Sequence, residues 1–478
     1  MSLRPHPQSL FRRPAATSLL AMMLLATSLF TVAATGPARA HAPSLEDAAV
    51  TRDTLTFRPA PSSAAAQPAV SDSMTFRPAY SFFDSTGHEP RITTAPVRLD
   101  FQSESEWLAA PMGDHLLDHP DPWTASHPHR GQDLGLVVDY NRVDQLRYGV
   151  HYQAQRPQTM YPRLGARFEY ATGRDRTLYG VQWEQPLLPT ARFVFGVSMV
   201  RRTDHPELQQ VDDVENSLAM LLARTDYRDY FEREGGGVYL SWRVPDFSTV
   251  SVHARRDQYR SLGVNTGVRS WWRTDRPLRA NPAIDEGETH SVQVRLERLA
   301  RHTAGNRAGL YHWIEVERAG GELGGDFSYL RVLGDVRSVL RLSPATTLSL
   351  RAVAGTNTDG TLPRQKRFGL GGVDGLRAHG MNAFQGEQLA LAQAEYTIGL
   401  WALRGAGFEA GLHAIAFVDA GAAWDNAGAR WDVEHQHFKT DGGFGLATND
   451  DDLRVYVARD LADPDSKFTW SLRLQRPF

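Results

Sequence analysis

The sequence predicts an all-β protein, a single 16-stranded antiparallel transmembrane β-barrel with an inward-folded loop between strands 11 and 12. First, apolar and polar residues alternate with period 2 from Leu134 to the last residue. Second, many alternating runs reach about 10 to 12 residues, as tilted membrane-spanning strands do, whereas strands of soluble sandwiches average about 5 to 6. Third, no stretch after Ala40 approaches the roughly 20 apolar residues that a spanning helix needs.

The alternating runs number sixteen, and bacterial barrels have even strand numbers. Their polar faces carry large and often charged residues, such as Arg295 and Glu297 in the eighth run. The runs are 134–140, 146–154, 163–171, 176–187, 191–203, 235–246, 249–261, 289–300, 309–320, 326–342, 346–357, 387–400, 412–424, 441–447, 452–461 and 467–478.

The lengths of the connections agree with an up-and-down barrel. The long connections 204–234, 262–288, 358–386 and 425–440 all follow odd-numbered strands. In such a barrel all odd connections emerge on one side, and outer-membrane barrels place long loops outside and short turns in the periplasm. We therefore expect these four segments on the outer side of the membrane.

The N-terminus has the pattern of a secretory signal peptide. Arg12 and Arg13 precede the apolar run Ala15–Thr35, and Ala38-Arg39-Ala40 supplies a small-x-small cleavage site. We predict a cleaved signal peptide over residues 1–40, with twin-arginine export and an uncleaved anchor helix as the alternatives.

Residues 41–132 are rich in Pro, Ala, Ser and His, and periodic segments are scarce there. We predict an irregular periplasmic or lumenal segment, followed by the barrel at 133–478. The segment contains one group of candidate metal ligands, whose spacing matches no zinc motif closely. These residues are His115, Asp118, His119, Asp121, His127 and His129. We predict no metal site there.

The stretch Arg367–Tyr396 combines glycines with one arginine, Arg377, and then enters an alternating run that carries Glu395. Glycine permits positive φ and close backbone approach, so this segment can bend sharply. The glycines are Gly369, Gly371, Gly372, Gly375 and Gly380. We expect a loop that folds inward; an ordinary flexible loop is the alternative.

The long connection after strand five contains an amphipathic pattern. Over Glu207–Arg224, apolar residues recur at helical spacing with acids between them. We predict a helix that packs on the barrel rim, with a partner- or membrane-touching helix as the alternative. In the next long connection, Trp271 and Trp272 are consistent with either an interfacial anchor or loop packing.

The last strand ends on a terminal aromatic residue, Phe478, which shares one face with Trp470, Leu472 and Leu474. This pattern resembles the C-terminal signal that the outer-membrane assembly machinery reads. We therefore expect that machinery as a partner during biogenesis, and outer-membrane lipid as the surroundings of the folded chain.

The glycine-rich stretch and the residues that follow it resemble the BamA/TamA superfamily of outer-membrane barrels, of the bacterial surface antigen type. Phe368-Gly-Leu-Gly-Gly372, Leu376-Arg377 and Glu395-Tyr396 resemble the loop-six region of that superfamily. Phe417-Val-Asp419-Ala-Gly421 resembles its F-x-D-x-G motif on strand thirteen. The resemblance implies a lock in which Arg377 pairs with Asp419, with Glu395 as the second candidate. Gly371, Gly372, Phe417 and Gly421 complete the implied lock.

Two departures from the family pattern bear on function. Ala378 and His379 follow the arginine where the family has Gly and an aromatic residue. In addition, residues 41–132 show no clear POTRA pattern, and POTRA domains deliver client chains in family members that insert or secrete proteins. The resemblance implies protein insertion or translocation; a passive pore or structural barrel and an outer-membrane hydrolase are the alternatives.

Composition and motifs argue against several other functions. The chain has no cysteine, and its formal charge of -3 is spread without a basic patch, so neither thiolate chemistry nor nucleic-acid binding is expected. No GxSxG, GxxxxGK[ST] or HExxH motif occurs. We predict a non-enzymatic protein without a cofactor, located in the cell outer membrane.

Overall fold

The computed structural model describes residues 132–474, with gaps at 155–159, 189–192, 245–247, 273–275, 299–308, 344, 406–407, 426–430, 432 and 449–452. It also describes the antiparallel pair Thr75–Phe76 and Val97–Arg98. The predicted signal peptide, almost all of 41–132 with its His/Asp cluster, and Phe478 lie outside the described residues. In the described parts, no helix is long and apolar enough to cross a membrane.

Sixteen strands form one antiparallel sheet in which every strand pairs with its neighbours in the chain. They are β1 Gln132–Asn141, β2 Gln145–Ala154, β3 Arg163–Ala171, β4 Arg176–Pro186, β5 Phe193–Asp204, β6 Phe231–Arg243, β7 Thr249–Ser261, β8 Gly287–Arg298, β9 Gly309–Ala319, β10 Tyr329–Ser343, β11 Thr346–Gly360, β12 Gln388–Gly405, β13 Phe408–Trp424, β14 Lys439–Thr448, β15 Arg454–Asp460 and β16 Thr469–Arg473. The predicted all-β class and strand number are confirmed. In the part of the chain that is described, β1 pairs only with β2, and β16 only with β15.

The two faces of the sheet differ in polarity, and the apolar face is the exposed one. Leu136 on β1 is 79% exposed and Phe444 on β14 is 73% exposed. The other face, here called the polar face, carries buried charged residues paired between neighbouring strands. Such pairs are Arg147–Glu169, Arg163–Glu184, Arg295–Glu315, Arg331–Glu315 and Arg351–Asp335. Soluble proteins bury apolar side chains instead, so this distribution fits strands whose outer side faces lipid.

The only helix longer than one turn in the described residues is α1, Asp213–Ala223, in the connection between β5 and β6. It begins where the Asp212 side chain accepts a hydrogen bond from the backbone N–H of Val214, which is a standard N-cap. The predicted helix started too early, at Glu207, because the pattern of apolar spacing extends past this cap. The buried residues of α1 are Glu215, Asn216 and Met220, so its inward side mixes polar and apolar side chains and is not the expected apolar stripe.

Residues 361–387, here called the arginine loop, connect β11 to β12. The loop begins with a 3-10 turn, Arg364–Lys366, and then forms a small hairpin from Phe368–Leu370 and Phe384–Gly386. Its apolar side chains, among them Phe368 and Leu376, belong to a buried cluster with strand residues of the polar face. Burial of such side chains stabilises a fixed position for the loop by about 1.5–3 kcal/mol each.

Candidate functional site

The tip of the arginine loop depends on two glycines in positive φ. Gly371 has φ +115°, and a Cβ there would lie 2.4 Å from the carbonyl oxygen of Gly380. Gly372 has φ +83°, and its N–H donates to the carbonyl oxygen of His379 at 3.1 Å. Residues other than glycine rarely adopt such positive φ angles, so Gly371 and Gly372 set the turn that carries Arg377.

The side chain of Arg377 is buried between two carboxylates from neighbouring strands. Its Nη1 donates to Glu395 Oε2 on β12 at 3.0 Å, and its Nη2 donates to Asp419 Oδ1 on β13 at 3.3 Å. The Nε atom lies 3.1 Å from Asp419 Oδ2, which is an ion contact without hydrogen-bond alignment. The structure therefore brings together the three charged residues that the sequence singled out.

Two aromatic rings complete the surroundings of the guanidinium. Arg377 Cζ lies 4.0 Å from the ring centroid of Phe417 and 4.7 Å from that of Tyr456. The two rings meet edge to face, with centroids 5.6 Å apart. Stacking on aromatic faces favours arginine over lysine at such a position. Gly421, four residues beyond Phe417, has no side chain that would crowd Leu370 of the loop.

Further polar residues that sequence reasoning missed support the two carboxylates. Glu395 also accepts from Arg454 Nη1 and, at 3.0 Å, from the hydroxyl of Tyr456. Asp419 Oδ1 also accepts from Gln393 Nε2 at 3.1 Å. All these residues lie at polar-face positions of their alternating strands, and this position in the pattern is the sequence signal that could have identified them. The alternation does not reveal which of them meet, since that depends on register.

The residues after Arg377 fasten the loop tip to β14 and β15. The N–H of Ala378 donates to Asp441 Oδ2 at 2.6 Å. The ring of His379 lies with Nδ1 3.1 Å from Asp441 Oδ1 and Nε2 3.4 Å from Asp460 Oδ2. Ala378 and His379, which stand where the family has Gly and an aromatic residue, thus occupy a well-defined position, in which the histidine contacts two carboxylates.

A second arginine, Arg473 on β16, joins the arginine loop to α1. Its Nη1 donates to Asp374 Oδ1 at 3.0 Å and to the carbonyl oxygen of Val373 at 3.2 Å. Its Nε donates to Glu215 Oε1 of α1 at 2.6 Å. The predicted C-terminal signal residues beside it face outward, with Trp470 71% and Leu472 48% exposed, while Leu474 is half-buried.

A serine–histidine contact on β7 bears on the hydrolase alternative. His253 Nε2 lies 2.9 Å from Ser251 Oγ on β7. Both residues are only 1% exposed, and the ring of Tyr239 stacks on His253. A substrate carbonyl has no access to this hydroxyl. In the described parts of the chain, no group of three or more His, Asp or Glu residues is arranged to hold a metal ion.

Comparison with known proteins places the chain in a family. The Omp85 superfamily domain matches residues 163–450, which is more than half of the chain. No curated protein sequence matches significantly. Among solved structures, BamA from Haemophilus ducreyi lacking POTRA domains 1-3 is 12% identical, with TM-score 0.47 and coverage of 72% of this chain and 70% of that one.

Two further solved structures that resemble the chain are of CdiB. CdiB from Acinetobacter baumannii is 14% identical, with TM-score 0.40 and coverage of 73% of this chain and 60% of that one. CdiB from Escherichia coli is 11% identical, with TM-score 0.41 and coverage of 73% and 63%. The domain match confirms the resemblance read from the loop and strand motifs. The chain belongs to the Omp85 superfamily and is an outer-membrane protein.

Proposed function

We propose that the sixteen strands close into an outer-membrane β-barrel with the arginine loop inside it, and that the protein aids the insertion or translocation of proteins across the outer membrane. The observation that carries the proposal is the burial of Arg377 between Glu395 and Asp419. The buried ion pair holds the arginine loop in one position on the polar face. A loop that controls passage through a barrel lumen needs such a fixed position.

Closure of the barrel is supported by contacts of α1 with the two terminal strands of the sheet. Ser217 of α1 hydrogen-bonds to β1 residues, and Glu215, two positions away, hydrogen-bonds to Arg473 of β16. A helix rises only about 1.5 Å per residue, so both strands must come close to the same turn of α1. Closure would also leave no long unpaired edge.

The role of Arg377, Asp419 and Glu395 as a lock is part of the same proposal. Buried arginine is stabilised by bidentate carboxylate contacts, and each carboxylate here lies on a different strand. Gly371 and Gly372 shape the tip, while Phe417 and Gly421 provide the surface against which it packs. Release of Arg377 would leave Asp419 buried without its cation, whereas Glu395 would keep Arg454, so we expect the locked state to be the resting state.

The experiment is a folding assay for a client protein. A small unfolded outer-membrane barrel is added to liposomes that contain this chain, and its folding is followed by heat-modifiable mobility on gels. We expect wild-type chain and the Arg364→Ala control, which alters an exposed pair of the same loop, to accelerate folding over empty liposomes. Arg377→Ala should lose most of that acceleration. Absence of acceleration by wild type would contradict the proposal.

A passive pore is the second candidate, and one observation favours it. A cavity of about 490 Å³ lies between the arginine loop and the connections after β5 and β7, lined by both charged and apolar residues. Such a cavity provides part of a water-filled path. Steady conductance of the wild-type chain in planar bilayers, without acceleration of client folding, would favour the pore.

A further inference from the structure

In the described part of the chain, the outer edges of the two terminal strands carry backbone N–H and C=O groups that no strand pairs with. In the described residues, neither β1 nor β16 has a strand partner on its outer edge. Unpaired edge N–H and C=O groups are costly when buried and attract other strands when exposed. The structure provides another partner for some of them, and that partner is α1.

On the β1 side, the contact is made by one serine. Ser217 Oγ of α1 accepts a hydrogen bond from the backbone N–H of Tyr140 at 2.9 Å. Its hydroxyl donates in turn to Asp139 Oδ1 at 2.6 Å. The serine oxygen thus occupies the position in which a neighbouring strand would place its carbonyl oxygen.

On the β16 side, the contact is made by one glutamate. Glu215 of α1 accepts from Arg473 Nε at 2.6 Å. Glu215 and Arg473 are only 3% and 2% exposed, so water does not screen the pair. Hydrogen bonds between ionised groups are the stronger kind, which makes this the firmer of the two attachments.

Asn216, which lies between Glu215 and Ser217 in α1, is fastened to the connection that carries the helix. Asn216 Nδ2 donates to the hydroxyl of Tyr230, and Asn216 Oδ1 accepts from the N–H of Tyr227, both at 2.8 Å. Arg228 of the same connection pairs with Asp213 at the start of the helix. Residues 205–230 therefore carry α1 as one unit, and a movement of this connection would move both Glu215 and Ser217.

We propose that α1 is a clamp that bridges the seam between β1 and β16 and holds it shut in the resting state. The proposal rests on the closed barrel proposed above. Because the seam between the described residues of β1 and β16 is held by a few side-chain contacts and not by a ladder, it opens when α1 withdraws, without loss of pairing between the other strands. The connection after β5 thereby controls lateral access to the interior.

The test measures the width of the seam by spin labelling of the full chain refolded into detergent. The chain has no cysteine, so Val138→Cys on β1 and Leu472→Cys on β16 place the only two labels. Both positions are outward-facing, at 62% and 48% exposure. The distance distribution is recorded with α1 intact and with either Glu215→Gln or Ser217→Ala. Heat-modifiable mobility verifies that each variant is folded.

A matched control is Asp285→Asn, which removes an exposed ion pair with Arg364 between two other connections. We expect a short, narrow distance distribution with α1 intact and with the control. The distribution should shift to longer distances and broaden in Glu215→Gln, and to a lesser extent in Ser217→Ala. Either folded variant is sufficient for the test if the other does not fold.

Two results would overturn the inference in different ways. If the distribution in a folded Glu215→Gln or Ser217→Ala variant equals that with α1 intact, α1 is not a clamp, although the barrel is still closed. If the distribution is already long and broad with α1 intact, the barrel is not closed, and the clamp fails together with that part of the proposed function. The client-folding assay, which uses no labels, reports on insertion independently of both.

Discussion

Substitution of Arg377 by alanine should destabilise the folded chain substantially and loosen the arginine loop. The side chain is 2% exposed and contacts two carboxylates and two aromatic rings. Loss of one partner from a buried ion pair costs about 3–5 kcal/mol, because the remaining charge stays buried without compensation. Here that charge is Asp419, since Glu395 keeps its contact with Arg454. The ring contacts contribute about 0.5–2 kcal/mol each where they are desolvated. Since these contributions overlap, we expect a loss of about 3–5 kcal/mol in the free energy of unfolding.

The loss is measured by urea unfolding in liposomes, followed by the fluorescence of the 11 tryptophans. Proteinase K cleavage within 361–387 reports on the loop separately. Arg377→Lys keeps the charge but cannot contact both carboxylates as the planar guanidinium does. Its free energy of unfolding should therefore fall by less, about 1–3 kcal/mol.

The matched control for Arg377 is Arg364→Ala in the same loop. Arg364 is 66% exposed at the side chain and lies 3.6 Å from Asp285, and exposed pairs of this kind contribute little. If Arg377→Ala unfolds at the same urea concentration as Arg364→Ala and is cleaved no faster, the ion pair does not hold the loop, and the reasoning above is refuted.

Two further outcomes follow from residues around the loop. Burial raises the pKa of Glu207, but Arg331 and Lys366 lower it more, to about 2, from an ordinary 4.5. The stability that Glu207 contributes should be fully present above pH 4.5 and decline as the pH falls towards 2. In urea unfolding from pH 6 to 2, the free energy of unfolding of Glu207→Gln should therefore decline less steeply than that of the wild type. An equal decline in both proteins would contradict this prediction. Gly371→Ala should lose about 1–3 kcal/mol by strain and by contact with Gly380, whereas Gly380→Ala, whose Cβ would meet nothing within 4 Å, should unfold like wild type.

The sequence predicted the strands well because each of them has to present one apolar and one polar face. All sixteen alternating runs correspond to strands, although their ends differ by a few residues. The sixth strand begins at Phe231, whereas the predicted run began at 235. The alternation missed this part of the strand because Glu232, Arg233 and Glu234 are all polar. Alternation is invisible where both faces of a strand carry charged residues, since the period-2 signal depends on a contrast between them.

The pairs across the site were less predictable than the strands. Arg377 and Asp419 could be named in advance because a family motif contains both. No motif connects Arg473 with Glu215, which are 258 residues apart. Period-2 alternation assigns Arg473 to the polar face. Its contact with Glu215 of α1 depends on where the long connection after β5 folds back over the sheet. That path is set by the cap at Asp212 and by side-chain contacts that local patterns do not encode.

The proposed lock at Arg377 and the proposed clamp at α1 are connected through Arg473. Asp374 lies three residues before Arg377 in the same turn, and it shares Arg473 with Glu215 of α1. The N–H of Gln210, from the connection that carries α1, also donates to Asp374 Oδ2, at 2.8 Å. If the arginine loop withdrew, Arg473 would lose one of its two carboxylates, and the connection would lose an anchor. If both proposals hold, opening of the seam is therefore easier after release of Arg377 than before it, and the proposed lock and clamp stabilise the same proposed closed state.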